Sequence, residues 1–123
     1  MNLLLDTHII LWWLEDDPSL QNGHRRLIGD ERNLCHISAA SIWEISIKKG
    51  LGKLEIPDNY IKVLYDEGFM ELPVTWLHCD SVASLPPLHR DPFDRLLIAQ
   101  ACLEKLIIVT VDEKIKQYKV STV

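Results

Sequence analysis

Short apolar runs alternate with longer stretches of helical periodicity along the whole chain. The first run, Asn2 to Leu5, predicts a strand, and the apolar spacing from about Thr7 to Leu14 predicts a helix. Asp17-Pro18-Ser19 breaks the chain and starts a second predicted helix toward Ile28. A short strand over Leu34 to Ile37 leads to Ser38, whose hydroxyl suits the cap of a helix running to about Lys49, with Gly50 and Gly52 ending it. Pro57-Asp58 opens a helix to about Glu67, Phe69 to Val74 reads as a strand, and Thr75 to Ser84 as a short helix. Pro86-Pro87 forces a loop. Asp91-Pro92 then gives the strongest helix start in the chain, an acid at the cap and proline at the first helical position, followed by apolar residues to Leu103. Leu106 to Thr110 predicts a buried strand, a short helix starts near Asp112, and an edge strand is expected near Val120. Strands alternating with helices predict an α/β domain with a mainly parallel sheet.

The 123 residues suit one domain, 1–123, and leave no room for a second. With 47% hydrophobic residues the chain can build a core, which excludes a disordered binder. Cys35, Cys79 and Cys102 are odd in number and lack paired spacing, so reduced thiols are expected in place of a zinc site or disulfides. The start lacks the basic flank and long apolar run of a signal peptide, and no apolar stretch nears the roughly 20 residues of a membrane helix. The expected site of action is the cytoplasm. A net charge of −5 runs against a nucleic-acid binder, which usually has a basic face. Carboxylates gathered at one site would account for part of that charge, offset by a bound cation, and a basic partner would supply some of the missing positive field.

Four acids stand where a purely structural design does not need them. Asp6 follows an apolar strand, Glu44 interrupts Ile42-Trp43-Glu44-Ile45, Asp94 lies in the first turn of the Pro92 helix, and Asp112 follows Ile107-Ile108-Val109. In parallel α/β sheets ligands collect beyond the carboxyl ends of strands, where strand order reverses. If the Asp6 and Asp112 strands are neighbours, their carboxylates converge. Clustered carboxylates repel one another, and a divalent cation relieves that repulsion. Hard oxygen donors suit Mg2+ or Mn2+, which makes phosphodiester hydrolysis the natural chemistry. Each acid also has a structural reading. Asp6 and Asp112 can cap helices, Glu44 can pair with Lys48 at i,i+4, and Asp94 can complement a helix dipole. Asp91 fits the capping role and is assigned to it. Taken together, the structural readings need four coincidences.

The segments around these acids resemble a PIN domain of the VapC-type branch. They are Leu3-Leu4-Leu5-Asp6-Thr7-His8, Ser38 to Lys48 (SAASIWEISIK), His89 to Ala101 (HRDPFDRLLIAQA) and Val109-Thr110-Val111-Asp112. Their order and spacing span nearly the whole chain. The resemblance implies a PIN-like α/β/α sandwich with sheet order 3-2-1-4-5. It implies metal ligation by Asp6, Glu44 and Asp94, with Asp112 completing the pocket directly or through water. It implies an endoribonuclease toxin using Mg2+ or Mn2+, commonly a homodimer and silenced by a cognate antitoxin.

Among neighbouring residues, Thr110 can bond a carboxylate, and Arg95 can hold phosphate or brace an acid. Lys48 has the same two readings as Arg95. Lys48, Lys49 and Lys53 with His89, Arg90 and Arg95 are candidates for a basic rim toward RNA. Neither His8 nor His89 is assigned as a general base. Trp12, Trp13, Trp43 and Trp76 suggest base stacking, but their apolar neighbours favour core or dimer packing. A haloacid-dehalogenase-type phosphatase needs a second Asp where His8 stands, and a response-regulator receiver needs an early acidic pair that is missing. The remaining alternative is a non-catalytic PIN-like module that holds RNA or protein without cutting.

Overall fold

The computed structural model describes residues 1–123. Strand β1 (Asn2–Leu5) leads to α1 (Thr7–Leu14) and α2 (Asn22–Gly29). Then come β2 (Leu34–Ser38), α3 (Ala39–Gly50), α4 (Tyr60–Asp66) and β3 (Met70–Leu72). The last part holds α5 (Trp76–Ser81), a 3-10 turn (Val82–Ser84), α6 (Pro92–Glu104), β4 (Ile107–Val109) and α7 (Glu113–Lys116). All pairings are parallel, in the order β3-β2-β1-β4. No helix is long and apolar enough to cross a membrane.

Alternation along β1 builds a core on each face of the sheet. Leu3 and Leu5 pack with Ile9, Ile10, Ile28, Ile45 and Leu64, under α1 to α4. Leu4 points the other way and packs with Leu97, Ile98, Ala101 and Ile115 from α6 and α7. A sheet buried on both faces needs continuously apolar strands, which is why Leu3, Leu4 and Leu5 are all fully buried. The result is the expected α/β/α sandwich.

Details differ from the sequence reading, among them β3, which covers only Met70–Leu72 of the expected Phe69 to Val74. The fifth strand is only a bridge between Ile108 and Thr122. That segment does run beside β4, with the Ile108 N–H donating to Ser121 O (2.9 Å) and the Val123 N–H to Ile108 O (2.9 Å). Its pairing covers too few residues to make a ladder. The second helix starts at Asn22, because Asp17 Oδ1 accepts from the Ser19 N–H (2.8 Å) and closes a turn first. The fourth helix likewise waits until Tyr60, whose N–H donates to Pro57 O (3.2 Å).

Local signals placed the helices that carry the acids. Ser38 caps α3, its Oγ accepting from the Ala40 N–H (3.0 Å). Asp91 caps α6, Oδ1 accepting from the N–H groups of Phe93 (2.8 Å) and Asp94 (3.3 Å), with Pro92 at the start. The left-handed backbone of Lys105 (φ 56°) ends α6.

Candidate functional site

Strand order reverses at β1, which pairs with β2 on one side and β4 on the other. Asp6 leaves the carboxyl end of β1, and its backbone N–H still donates to Val109 O on β4 (3.1 Å). Although Asp6 stands at the N-cap of α1, its side chain makes no cap hydrogen bond. Its Oδ2 instead accepts from the Thr110 hydroxyl at 2.8 Å. Thr110 Oγ1 in turn accepts from the Asp112 N–H (3.0 Å). One fully buried hydroxyl thus fixes the Asp6 carboxylate and the backbone that carries Asp112.

Glu44 and Asp94 come from facing helices, α3 and α6, which pack together. Both are buried, as is Asp6. Glu44 Oε2 meets Lys48 Nζ at 3.0 Å, so the i,i+4 pair does form. Glu44 Oε1 is buried without any hydrogen-bond partner. A surface ion pair would not leave a carboxylate oxygen desolvated and orphaned, since that is costly. Asp112 keeps its structural role as well, Oδ1 accepting from the Lys114 N–H (2.8 Å) at the start of α7.

Electrostatics record the crowding. Asp94 is pushed up to about 8, first by burial and then by the charges of Asp6, Asp91, Glu44 and Asp112. Burial also raises Asp6 above its ordinary value, against the lowering effect of the Thr110 hydrogen bond. Burial raises Asp112 too, but the His89 hydrogen bond and the Lys114 N–H outweigh it and hold that carboxyl low. Asp94 thus feels the negative charge of acids distant in sequence, while only Asp112 and His89 come close enough to it to offer ligand atoms within 4.8 Å of one another.

His89 is the member that sequence reasoning left at the rim. Its Nε2 lies 2.9 Å from Asp94 Oδ2 and 3.1 Å from Asp112 Oδ2. Its Nδ1 accepts from the Asp91 N–H (3.1 Å), which assigns the ring proton to Nε2, facing the acids. His89, Asp94 and Asp112 offer ligand atoms that all lie within 4.8 Å of one another. The only signal in the chain was its place two residues before Asp91 in the acid-rich segment. Ser41 was also passed over. Its buried Oγ accepts from Thr7 Oγ1 (3.1 Å), tying α3 to α1 one turn before Glu44.

The basic residues divide differently from expectation. Arg95 does not brace an acid. It donates to the carbonyls of Pro86 (3.0 Å), Val82 (3.2 Å) and Leu85 (3.4 Å) and to Tyr118 Oη (3.2 Å). Tyr118 Oη also accepts from the N–H groups of Leu88 (3.1 Å) and His89 (2.8 Å). Arg95 and Tyr118 thus clamp the Pro86-Pro87 loop, and through it His89. Lys49 pairs with Asp58 at 2.6 Å, away from the acids in sequence. Arg90 and Lys53 are exposed and unpaired. Trp13 donates to Glu67 Oε2 (2.7 Å) and packs edge-on to Phe69, a packing role as expected. Trp43 and Trp76, by contrast, are exposed.

Comparison with known proteins agrees with this fold. The family model described as PIN domain matches residues 3–121. No curated protein matches the sequence. Among solved structures, VapBC2 from Rickettsia felis, bound to a DNA fragment from its promoter, is similar with a TM-score of 0.73 at 17% identity, covering 100% of this chain and 98% of that one. VapBC-1 from nontypeable Haemophilus influenzae gives 0.63 at 16% identity, covering 100% and 97%. FitAcB from Neisseria gonorrhoeae gives 0.62 at 17% identity, covering 98% and 95%. At these identities the likeness is one of fold.

Proposed function

The chain belongs to the PIN-domain family, and from that premise we propose that it is a metal-dependent endoribonuclease, the toxin half of a toxin–antitoxin pair. The observation that carries this reading is the burial of Asp6, Glu44 and Asp94, with Glu44 Oε1 left without a partner and Asp94 close to Asp112. A purely structural site has no reason to gather so much like charge. The donor set fits a cation: hard oxygens from Asp6, Glu44, Asp94 and Asp112, including the orphaned Glu44 Oε1. Mg2+ or Mn2+ is the ion of choice for such hard oxygen donors. When bound, such an ion supplies Lewis acidity toward a phosphodiester and lowers the pKa of water.

The side chains would divide the work. Asp6, Glu44 and Asp94 hold the ion, and Asp112 assists from the β4 side. Thr110 keeps the Asp6 carboxylate in one orientation through its hydrogen bond at 2.8 Å. His89 holds a proton on Nε2 between Asp94 and Asp112. Lys48 neutralises one Glu44 oxygen at 3.0 Å, and with exposed Arg90 it would attract the phosphate backbone.

The VapC-type resemblance supplies the RNA substrate, the cognate antitoxin and the homodimer, acting in the cytoplasm. Structures of similar fold with the paired names VapBC2 and VapBC-1 support a two-component assembly. A net charge of −5 favours a basic segment of the partner over the acid pocket.

Incubation of the purified chain with total RNA and with single-stranded DNA tests this reading. The expected result is RNA cleavage in Mg2+ or Mn2+, none in EDTA, and none with Asp6→Asn. Intact RNA under every metal condition, from a chain that still binds RNA, would favour the non-catalytic module. Cleavage that survives EDTA and Asp6→Asn would refute the site.

A further inference from the structure

Each helix that brings a buried acid to the pocket also brings an aromatic ring immediately before it: Trp43 before Glu44 on α3, and Phe93 before Asp94 on α6. The two rings meet edge-to-face, with centroids 5.3 Å apart and planes at 70°. Trp43 is nevertheless 62% exposed. An edge-on neighbour braces the indole without covering both of its faces. Phe93 thus fixes the orientation of a large apolar ring that remains open to solvent, one residue from Glu44 on α3 and against the residue before Asp94 on α6.

The core of this chain does not account for the placement. A tryptophan that served the core would be covered, as Trp13 is by Phe69 and Glu67. We infer that Trp43, held by Phe93, is a stacking platform for a nucleobase of the single-stranded RNA whose phosphodiester lies at the acids. The inference rests on the ribonuclease reading and adds to it a residue that positions the substrate. Pinning the indole before binding lowers the ordering cost of a stack. Stacking on an aromatic ring tolerates any base, because every base presents a π face, and it attracts without positive charge. That matters in an acidic chain, where electrostatic attraction for RNA is weak.

The apolar face of α3 continues at exposed Ile47 and Leu51, one and two turns further along. A protein partner would use that whole stripe. The position of Trp43 against Phe93, in sequence contact with both acids, favours RNA at this end of it.

Binding of a short oligoadenylate and of an abasic ribose-phosphate strand of equal length, in Ca2+ to retain intact strands, tests the platform with Trp43→Ala and Trp43→Phe. Trp43→Ala is expected to weaken oligoadenylate binding roughly tenfold, and Trp43→Phe by no more than about threefold. All three proteins are expected to bind the abasic strand alike, since only a base can stack. An equal loss on both strands, or no loss on oligoadenylate, overturns the platform. So does a shift of Trp43→Ala from dimer to monomer in sedimentation with unchanged RNA affinity, which would assign the indole to protein contact. A wild-type chain that binds neither strand overturns the ribonuclease reading itself, an outcome separate from the others.

Discussion

Replacing Asp94 with asparagine should stabilise the metal-free protein at neutral pH while destroying its function. The carboxyl is pushed up to about 8 from an ordinary 3.8, so ionising it is costly only in the folded state. The folded chain therefore binds this proton more readily than the unfolded chain. Stability from this group is fully present below about 4 and is lost as pH rises toward about 8, with no further loss beyond. At about 1.36 kcal/mol per tenfold change in proton affinity, the gap sets an upper bound of about 6 kcal/mol. Residual solvent contact and the His89 Nε2 at 2.9 Å discount this to about 2 kcal/mol. With the carboxyl largely protonated at neutral pH, asparagine forfeits little helix-dipole charge, and a gain of about 2 kcal/mol raises the melting temperature by roughly 7 °C in a domain of this size. Thermal unfolding in EDTA, followed by circular dichroism at pH 5 and pH 8, measures it. Asp94→Asn should gain more at pH 8 than at pH 5, and added Mn2+ should stabilise wild type but not the variant. A variant less stable than wild type at pH 8 in EDTA would show that the acids do not crowd one another, and the case for a cation site would fall with it.

Thr110→Val removes the hydroxyl between Asp6 and the Asp112 backbone while keeping the shape. It should cost about 1–2 kcal/mol in urea denaturation and lower the rate of RNA cleavage roughly tenfold. Tyr118→Phe deletes the acceptor of the Leu88 and His89 N–H groups, so amide exchange across residues 86–90 should speed up, with about 1–2 kcal/mol lost from global stability. Lys105→Gly relieves a left-handed backbone at the end of α6 (φ 56°) and should raise stability by roughly 0.5–1 kcal/mol without changing cleavage.

Much of this molecule could be read along the chain, because the forces concerned act over a few residues. Ser38 before α3 and Asp91-Pro92 before α6 offer cap oxygens and a fixed φ to backbone already poised to turn, and both helices start there. Leu3-Leu4-Leu5 announced a strand, and the structure buries it on both faces, since only two covering layers accept an unbroken apolar run. The acids stood out for a similar reason, as charges set where water would be excluded. Their roles were another matter. Whether Asp6 caps α1 or serves a pocket depends on Thr110, far along the chain, reaching Oδ2 from β4. The direction of Arg95 is set by carbonyls of a proline loop, and the place of His89 by Tyr118, which packs from beyond α7. The edge segment near Thr122 was short enough for a bridge and too short for a ladder, a balance decided by its neighbour β4. The apolar neighbours of Trp43 suited core or dimer packing alike, and only the packing of α3 against α6 determines which side of the helix faces water. Local chemistry chooses the elements, whereas a side chain's task depends on partners that folding brings from elsewhere, and their hydrogen bonds and charges leave no trace in sequence spacing.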